Sequence, residues 1–241
     1  PPPPTSSGAV SVTASDVAAL EREPLPHAVT LAGAAGVMRP TVAATLAQRY
    51  AATVLAGGRP PSLHPASAAV SPAASPTVSG TSGASASPPD LTPSPPVSVT
   101  TSGDASKWPA TSANVVVEAT RSATYGLQVV AAQSTGAQRT LATATLRELA
   151  ALDAAQTPRL TTTPPTVLGY DLPYAVTTPA AARRLAGHVL TGLRAAYGSE
   201  LPTLETVSDQ PFLDLAEWLG RVEVLVRRWG GTLVPFPGMS G

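Results

Sequence analysis

Three histidines (His27, His64 and His188) and fifteen acidic residues are the groups in this 241-residue chain best able to ligate a metal, because cysteine is absent. A carboxylate-bridged pair of iron or manganese ions inside a helical bundle needs a Glu from each of two helices. The other two helices each supply Glu-x-x-His, since residues i and i+3 share a helix face. Three residues before the histidines stand Pro24, Pro61 and Leu185, so that spacing does not occur. What remains is a mononuclear arrangement of Glu148, beside an apolar stripe, and His188, next to Val189, completed by Glu118, Glu217 or Glu223. The plainer reading pairs Glu148 with Arg121 or Arg147 at a bundle edge and leaves His188 a half-buried polar side chain. The sequence favours the plainer one, so no catalytic residue, metal or cofactor is expected.

Other chemistry is weaker still. There is no phosphate-binding Gly-rich loop, nucleophile elbow or zinc spacing, and no histidine in a context that would activate one of the many Ser and Thr. Formal charge is zero, Lys107 is the one lysine, and from Asn114 onward ten Arg balance ten acids. No basic run tracks a phosphate backbone, so a nucleic-acid partner is not expected. Glu217–Arg221 and Glu223–Arg227 stand four apart, the favourable order on a solvated helix face. Arg183-Arg184 falls at a helix start, the less favourable end for cations, and reads as solvated surface.

These residues must be positioned by helices. Ser15-Asp16 caps a short run ended by Pro24 and Pro26, and Arg39-Pro40 opens a second ended by Gly57-Gly58. In the second, Val42, Leu46, Tyr50 and Val54 form a stripe with Thr45 and Arg49 beside it. Four further helices follow, over about 112–133, 137–155, from 179 after Thr178 as cap, and from 211 after Asp209 as cap. Gly136 makes the turn between the first pair. Their expected inward residues include Val117, Thr124, Leu127 and Ala131, then Leu141, Thr145, Leu149 and Leu152. Leu185, Val189, Leu193 and Ala196 continue the series, followed by Phe212, Leu215, Leu219, Val222 and Val226. Two short hairpins joined by a long connection predict a four-helix bundle.

Residues 59–113 are rich in Pro, Ser, Thr and Ala, with almost no charge, and read as an extended linker. Such composition also occurs in O-glycosylated stalks of exported proteins. PSPP at 93–96 reads as a stiff spacer rather than a ligand motif. Residues 1–58 have too little to bury alone, so their helices are expected to dock on the bundle of 114–241 with the linker looping around it. The opening PPPPTSSG reads as a processed product, with export favoured over truncation.

Residues 124–130 (TYGLQVV), 170–189 (YDLPYAVTTPAAARRLAGHV), 195–201 (AAYGSEL) and 227–239 (RRWGGTLVPFPGM) carry a family resemblance. From about 114 to 241 the chain resembles a ferritin-like domain of unknown function found in exported actinobacterial proteins. That resemblance implies an all-α, ferritin-like four-helix bundle behind a signal peptide or lipoprotein anchor. Family members often carry a Glu-His pair where this chain has Thr120 and Arg121, and a second-helix His where it has Glu148.

The expectation is a non-enzymatic, exported, lipid-anchored module of the cell envelope with a protein partner. A periplasm-side accessory subunit of a membrane complex, for example a respiratory one, is of this class. The alternative is a degenerate ferritin-like metal-binding or metal-dependent redox protein, and a third is a small-molecule binder using the bundle interior. Candidate partner-binding residues are Tyr170, Leu172 and Tyr174 in the long loop, and Trp229 and Phe236 in the tail, since aromatics dominate interfaces. For the tail, plugging an open end of the bundle is favoured over presenting an anchor.

Overall fold

The computed structural model describes residues 12–63, 108–161, 165, 167, 169–204, 208–232 and 234, and the regular structure there is helical throughout. The α-helices are α1 (Ala14–Arg22), α2 (Ala28–Ala34), α3 (Arg39–Leu55), α4 (Ala110–Ala132), α5 (Gly136–Gln156), α6 (Pro179–Glu200) and α7 (Asp209–Arg228). None of the helices searched is long and apolar enough to cross a membrane.

Helices α4–α7 form the bundle, and side-chain contacts fix its directions. Thr120 meets Tyr197 while Gly126 meets Val189, so α4 and α6 are antiparallel. Arg159 meets Asp214, Glu148 meets Arg221 and Thr145 meets Trp229, so α5 and α7 are antiparallel too. Gln138 Nε2 donates to Pro179 O, which brings the starts of α5 and α6 together and makes them parallel. A parallel α5/α6 pair requires the chain to travel the length of the bundle between them. That is the single long crossover expected of the ferritin-like arrangement.

The N-terminal helices dock on this bundle. Helix α3 lies parallel to α7: Arg39 pairs with Asp209 at 2.8 Å, and farther along Ala47 faces Gly220. A Cβ on Gly220 would sit 2.9 Å from Ala47 O, closer than real Cβ contacts come, and 3.0 Å from Tyr50 Cβ, so the two backbones approach through a gap that glycine leaves. The buried face of α3 is accordingly Ala43, Ala44, Leu46, Ala47 and Ala51, with Val42 and Tyr50 half-buried at its margin. The stripe read from the large residues is thus rotated toward the alanines, because close approach favours small side chains over large ones.

With α3 on one side and the bundle on the other, α7 has no solvated face along most of its length. Phe212, Leu215, Leu219, Val222 and Val226 are buried as expected, and so are Leu213, Trp218, Val224 and Glu223. Leu63 N donates to Glu217 Oε2 at 3.0 Å, and the Trp108 ring stacks on Trp218 with centroids 5.0 Å apart. Leu63 and Trp108 are both buried, although each falls inside the stretch expected as linker. The two ends of the intervening segment are therefore pinned within one turn of each other on α7, and helix α4 begins at Ala110 rather than near 112.

Two caps differ from expectation. Thr13, not Ser15-Asp16, caps α1, with Asp16 returning a bond to the Thr13 backbone in a capping box. Ser208 rather than Asp209 precedes α7, and Asp209 serves Arg39 instead. Thr178 caps α6 as expected, accepting from Ala181 N at 3.1 Å.

Candidate binding groove and the bundle interior

The bundle interior carries a neutral polar cluster where α4, α5 and α6 meet. Thr120 Oγ1 lies 2.6 Å from the Tyr197 hydroxyl and 3.0 Å from Gln156 Oε1, and Gln156 Nε2 donates to the Tyr197 hydroxyl. One consistent assignment has Gln156 donating to Tyr197, Tyr197 to Thr120, and the single Thr120 proton shared between Gln156 Oε1 and Val116 O at 2.8 Å. All three side chains are buried, and burial pushes the Tyr197 hydroxyl up to about 12. Such groups satisfy one another but bring no negative charge to offset a divalent cation. Thr120, the position where family resemblance raised the loss of a Glu, is thus part of a self-contained neutral core. Among the described residues no group of three or more His, Cys, Asp and Glu is clustered for a metal.

Glu148 and His188 are not brought together. Glu148, about half exposed, pairs with Arg221 of α7 at 3.2 Å, not with Arg121 or Arg147. Arg121 faces Asp153 at 3.6 Å. His188 is exposed, rather than half-buried, on the opposite pairing of helices, where it borders a groove between α4 and α6. The remaining proposed acids are also apart: Glu118 lies near Tyr170, Glu217 receives Leu63 N, and Glu223 lies near Arg194.

The groove holds about 260 Å³. Its floor is made of small residues, Ala119, Ser122 and Ala123 from α4 and Gly192 from α6, and its rim of Tyr170, Leu172 and His188. Near one end the helices touch: a Cβ on Gly126 would lie 2.8 Å from Val189 Cγ1. At Gly192 a Cβ would meet nothing within 4 Å, which is the open space itself. The loop rim is anchored on the bundle. The Tyr170 ring rests 5.8 Å from that of Tyr125, and its hydroxyl is shifted upward, first by partial burial and then by the nearby Glu118 carboxylate. Tyr174 lies outside the groove lining, half-buried, with the Arg184 guanidinium over its ring at 5.1 Å. Arg184 at the start of α6 is therefore engaged by an aromatic face, an interaction that the helix position alone did not indicate.

The tail begins as a plug. Trp229 is buried and its Nε1 donates to Thr145 Oγ1 at 3.0 Å, so it ties α7 to α5 instead of facing a partner. Gly230 adopts φ +89°, the left-handed turn that glycine favours, and Gly231 N caps Val226 O. Arg194 then donates to Thr232 O and Gln48 to Val234 O, laying the tail back across the bundle. Phe236 lies outside the described residues.

Of two buried acids, Asp214 is absent from the sequence reading, which has Glu223 as a candidate ligand or a surface partner of Arg227. Asp214 receives Trp108 Nε1 at 3.2 Å and Gln210 Nε2 at 3.0 Å and pairs with Arg159 at 3.1 Å. Glu223, expected on a solvated face with Arg227, is fully buried, while Arg227 turns to Gly231 O. Helical periodicity places both residues beside apolar neighbours. What it lacks is the second covering layer, α3 and the tail, that removes the solvated face.

A protein-family model described as Domain of unknown function (DUF4439) matches residues 111–241, more than half of the chain. No curated protein matches it, and neither does any solved structure.

Proposed function

The chain therefore belongs to the DUF4439 family, and on that premise we propose a non-enzymatic interaction module of the cell envelope that docks a protein partner through the α4/α6 groove. One observation carries this reading: Tyr170 and Leu172 are held half-buried over a floor of alanines and an unfilled Gly192. Rim side chains already partly ordered lose less entropy on binding than free ones, and an aromatic edge beside a small apolar hollow suits a partner's side chain. Clefts for drug-sized ligands run to roughly 300–1,000 Å³, so a hollow of about 260 Å³ suits one or two side chains better than a large cofactor.

The Pro/Ser/Thr-rich stretch and the resemblance to exported proteins support the envelope setting. The form this takes is an accessory subunit on the outer side of a membrane complex, such as a respiratory assembly, with a lipid anchor. Since both ends of the Pro-rich stretch are pinned to α7, that stretch does not separate the bundle from the N-terminal helices.

A photoreactive residue in place of Leu172, introduced in cells that make the protein, is expected to give a discrete protein adduct. The same residue at exposed Thr143 of α5 is the control. Equal labelling at both positions, or none at 172, would sink the groove reading. Intact mass of protein extracted from its own membranes tests the anchor: no acyl addition removes it. Stoichiometric iron, manganese or zinc that disappears in Glu148→Ala and His188→Ala would replace the module with a degenerate metal protein.

A further inference from the structure

Glu223 is a fully buried acid without a hydrogen bond. Its side chain is fully buried between α7 and α6, and neither carboxylate oxygen has a hydrogen-bond partner. The nearest cation is Arg194 of α6, whose Nη1 stands 3.7 Å from Glu223 Oε2, beyond hydrogen-bond distance. The same Nη1 donates to Thr232 O at 2.9 Å. The guanidinium nitrogen thus stands within bonding distance of the tail carbonyl but not of the carboxylate, and it must shift to bond Glu223. A carboxylate in its ionised form is much the stronger acceptor, and burying it unpaired is costly.

We propose that residues 230–232 form a proton-controlled flap over Glu223, closed while the carboxyl is protonated and released from Arg194 when it ionises. In the protonated state Glu223 places no demand on Arg194, which stays with Thr232 O. On ionisation Arg194 moves to the carboxylate, Thr232 O loses its donor, and water reaches the buried pair. The one bond that breaks is the carboxyl O–H, and its proton passes to solvent.

Of the surrounding charges, Arg183 of α6 stands with Nη2 beside Gly230 of the flap, while the cation paired with Glu223 is Arg194. On α7 itself Arg227 is turned to Gly231 O, and Arg221 to Glu148 of α5. Glu217 receives Leu63 N one and a half turns away, and α3 meets the tail through neutral Gln48 at Val234 O. The direction of linkage follows from which effect is larger at Glu223. Burial raises the carboxyl and Arg194 lowers it, and burial wins, bringing it to about 7. An opened flap hydrates the group and returns it toward the ordinary 4.5, so protons favour closure and rising pH favours release.

The absence of cysteine allows a single nitroxide at Thr232→Cys, whose side chain is exposed, with Thr143→Cys as control. The label at 232 is expected to be immobilised at pH 5.5, with its mobile fraction relative to immobile rising about tenfold or more by pH 8.5. The control should stay unchanged while circular dichroism reports an intact helical fold. Glu223→Gln should hold the label immobile at both pH values, and Arg194→Gln should leave it mobile at both. A pH-independent label in the parent, mobility greater at acid pH, or the parental transition persisting in Glu223→Gln would each overturn the flap. Should Glu223→Gln fail to fold, an immobile label in folded Arg194→Gln would do so by itself.

Discussion

The α3/α7 and α4/α6 contacts are both built on small residues, yet one is closed and the other contains a groove. At α3/α7, Gly220 is pressed against the Ala47 carbonyl and Tyr50, so the missing side chain is used up by backbone approach. At α4/α6, Gly126 does the same against Val189, but Gly192, about one turn beyond Val189 on the partner helix, faces open space. The difference arises from what stands opposite. An alanine-rich helix follows α7, whereas the loop carrying Tyr170 and Leu172 is propped on Tyr125 and bridges over the floor without filling it. A glycine in a helix is thus either a contact or a vacancy, and only its neighbours decide which.

The sharpest way to break this contrast is Gly220→Val. Inserting atoms into a contact where even a Cβ lies 2.9 Å from backbone is expected to cost about 3 kcal/mol or more, against the small gain in helix propensity. Denaturant unfolding measures it. The damage should fall on the docking of the N-terminal helices, so a second reading uses protein nicked within residues 64–107. Parent fragments should co-elute on gel filtration, held by α3 on α7, while Gly220→Val fragments should separate. A variant as stable as the parent, with fragments still together, would mean that α3 docks without close approach.

Glu223 sharpens the comparison at the seam between those two contacts, where α6 meets α7 and a charge rather than a small residue is enclosed. Its folded value of about 7 lies above the ordinary 4.5, so the folded state binds the proton more tightly than the unfolded one. The associated stabilisation is complete below about 4.5 and is lost as pH rises through about 7. Glu223→Gln, which is neutral throughout, is therefore expected to be more stable than the parent at pH 8 by roughly 2 kcal/mol, part of the cost in the parent being relieved as the flap opens. At pH 4 the two should agree closely. Denaturation midpoints at the two pH values test this, and a gain equal at both would assign the effect to packing instead of ionisation.

The elements most open to sequence reading were those with a single covered face. Helix α5 buries Thr145, Leu149 and Leu152, as apolar spacing requires. The Thr178 cap, the Gly136 turn and the docking of the N-terminal helices also follow from residue chemistry. Where a second layer covers a helix, periodicity misleads. It assigned Glu223 to solvent, and on α3 it weighted Val42 and Tyr50 above the alanines that make the contact. The groove was legible only in part. Tyr170 and Leu172 stood out as loop aromatics and apolars, but their meeting with His188 depends on the crossover, whose path no local pattern encodes. Trp229 stood out for the same reason and is a plug, because the side chain it needs, Thr145, is 84 residues away.

The smallest expected effect completes the contrast at Gly192. Replacing a mid-helix glycine by alanine removes freedom from the unfolded chain and favours helix by about 0.5–1 kcal/mol. At Gly220 steric cost overrides that gain, whereas at Gly192 no atom lies within 4 Å of the new Cβ, so the gain should appear in full. Gly192→Ala is accordingly expected to raise the denaturation midpoint slightly. Gly192→Leu, which fills the hollow, should leave stability near the parent's while abolishing the Leu172 adduct, because the volume lost is the partner's rather than the core's. If Gly192→Ala destabilises, the floor is not open and the two helix contacts are of one kind. If Gly192→Leu keeps both stability and adduct, the partner rests on the rim alone, and the hollow between α4 and α6 has no part in holding it.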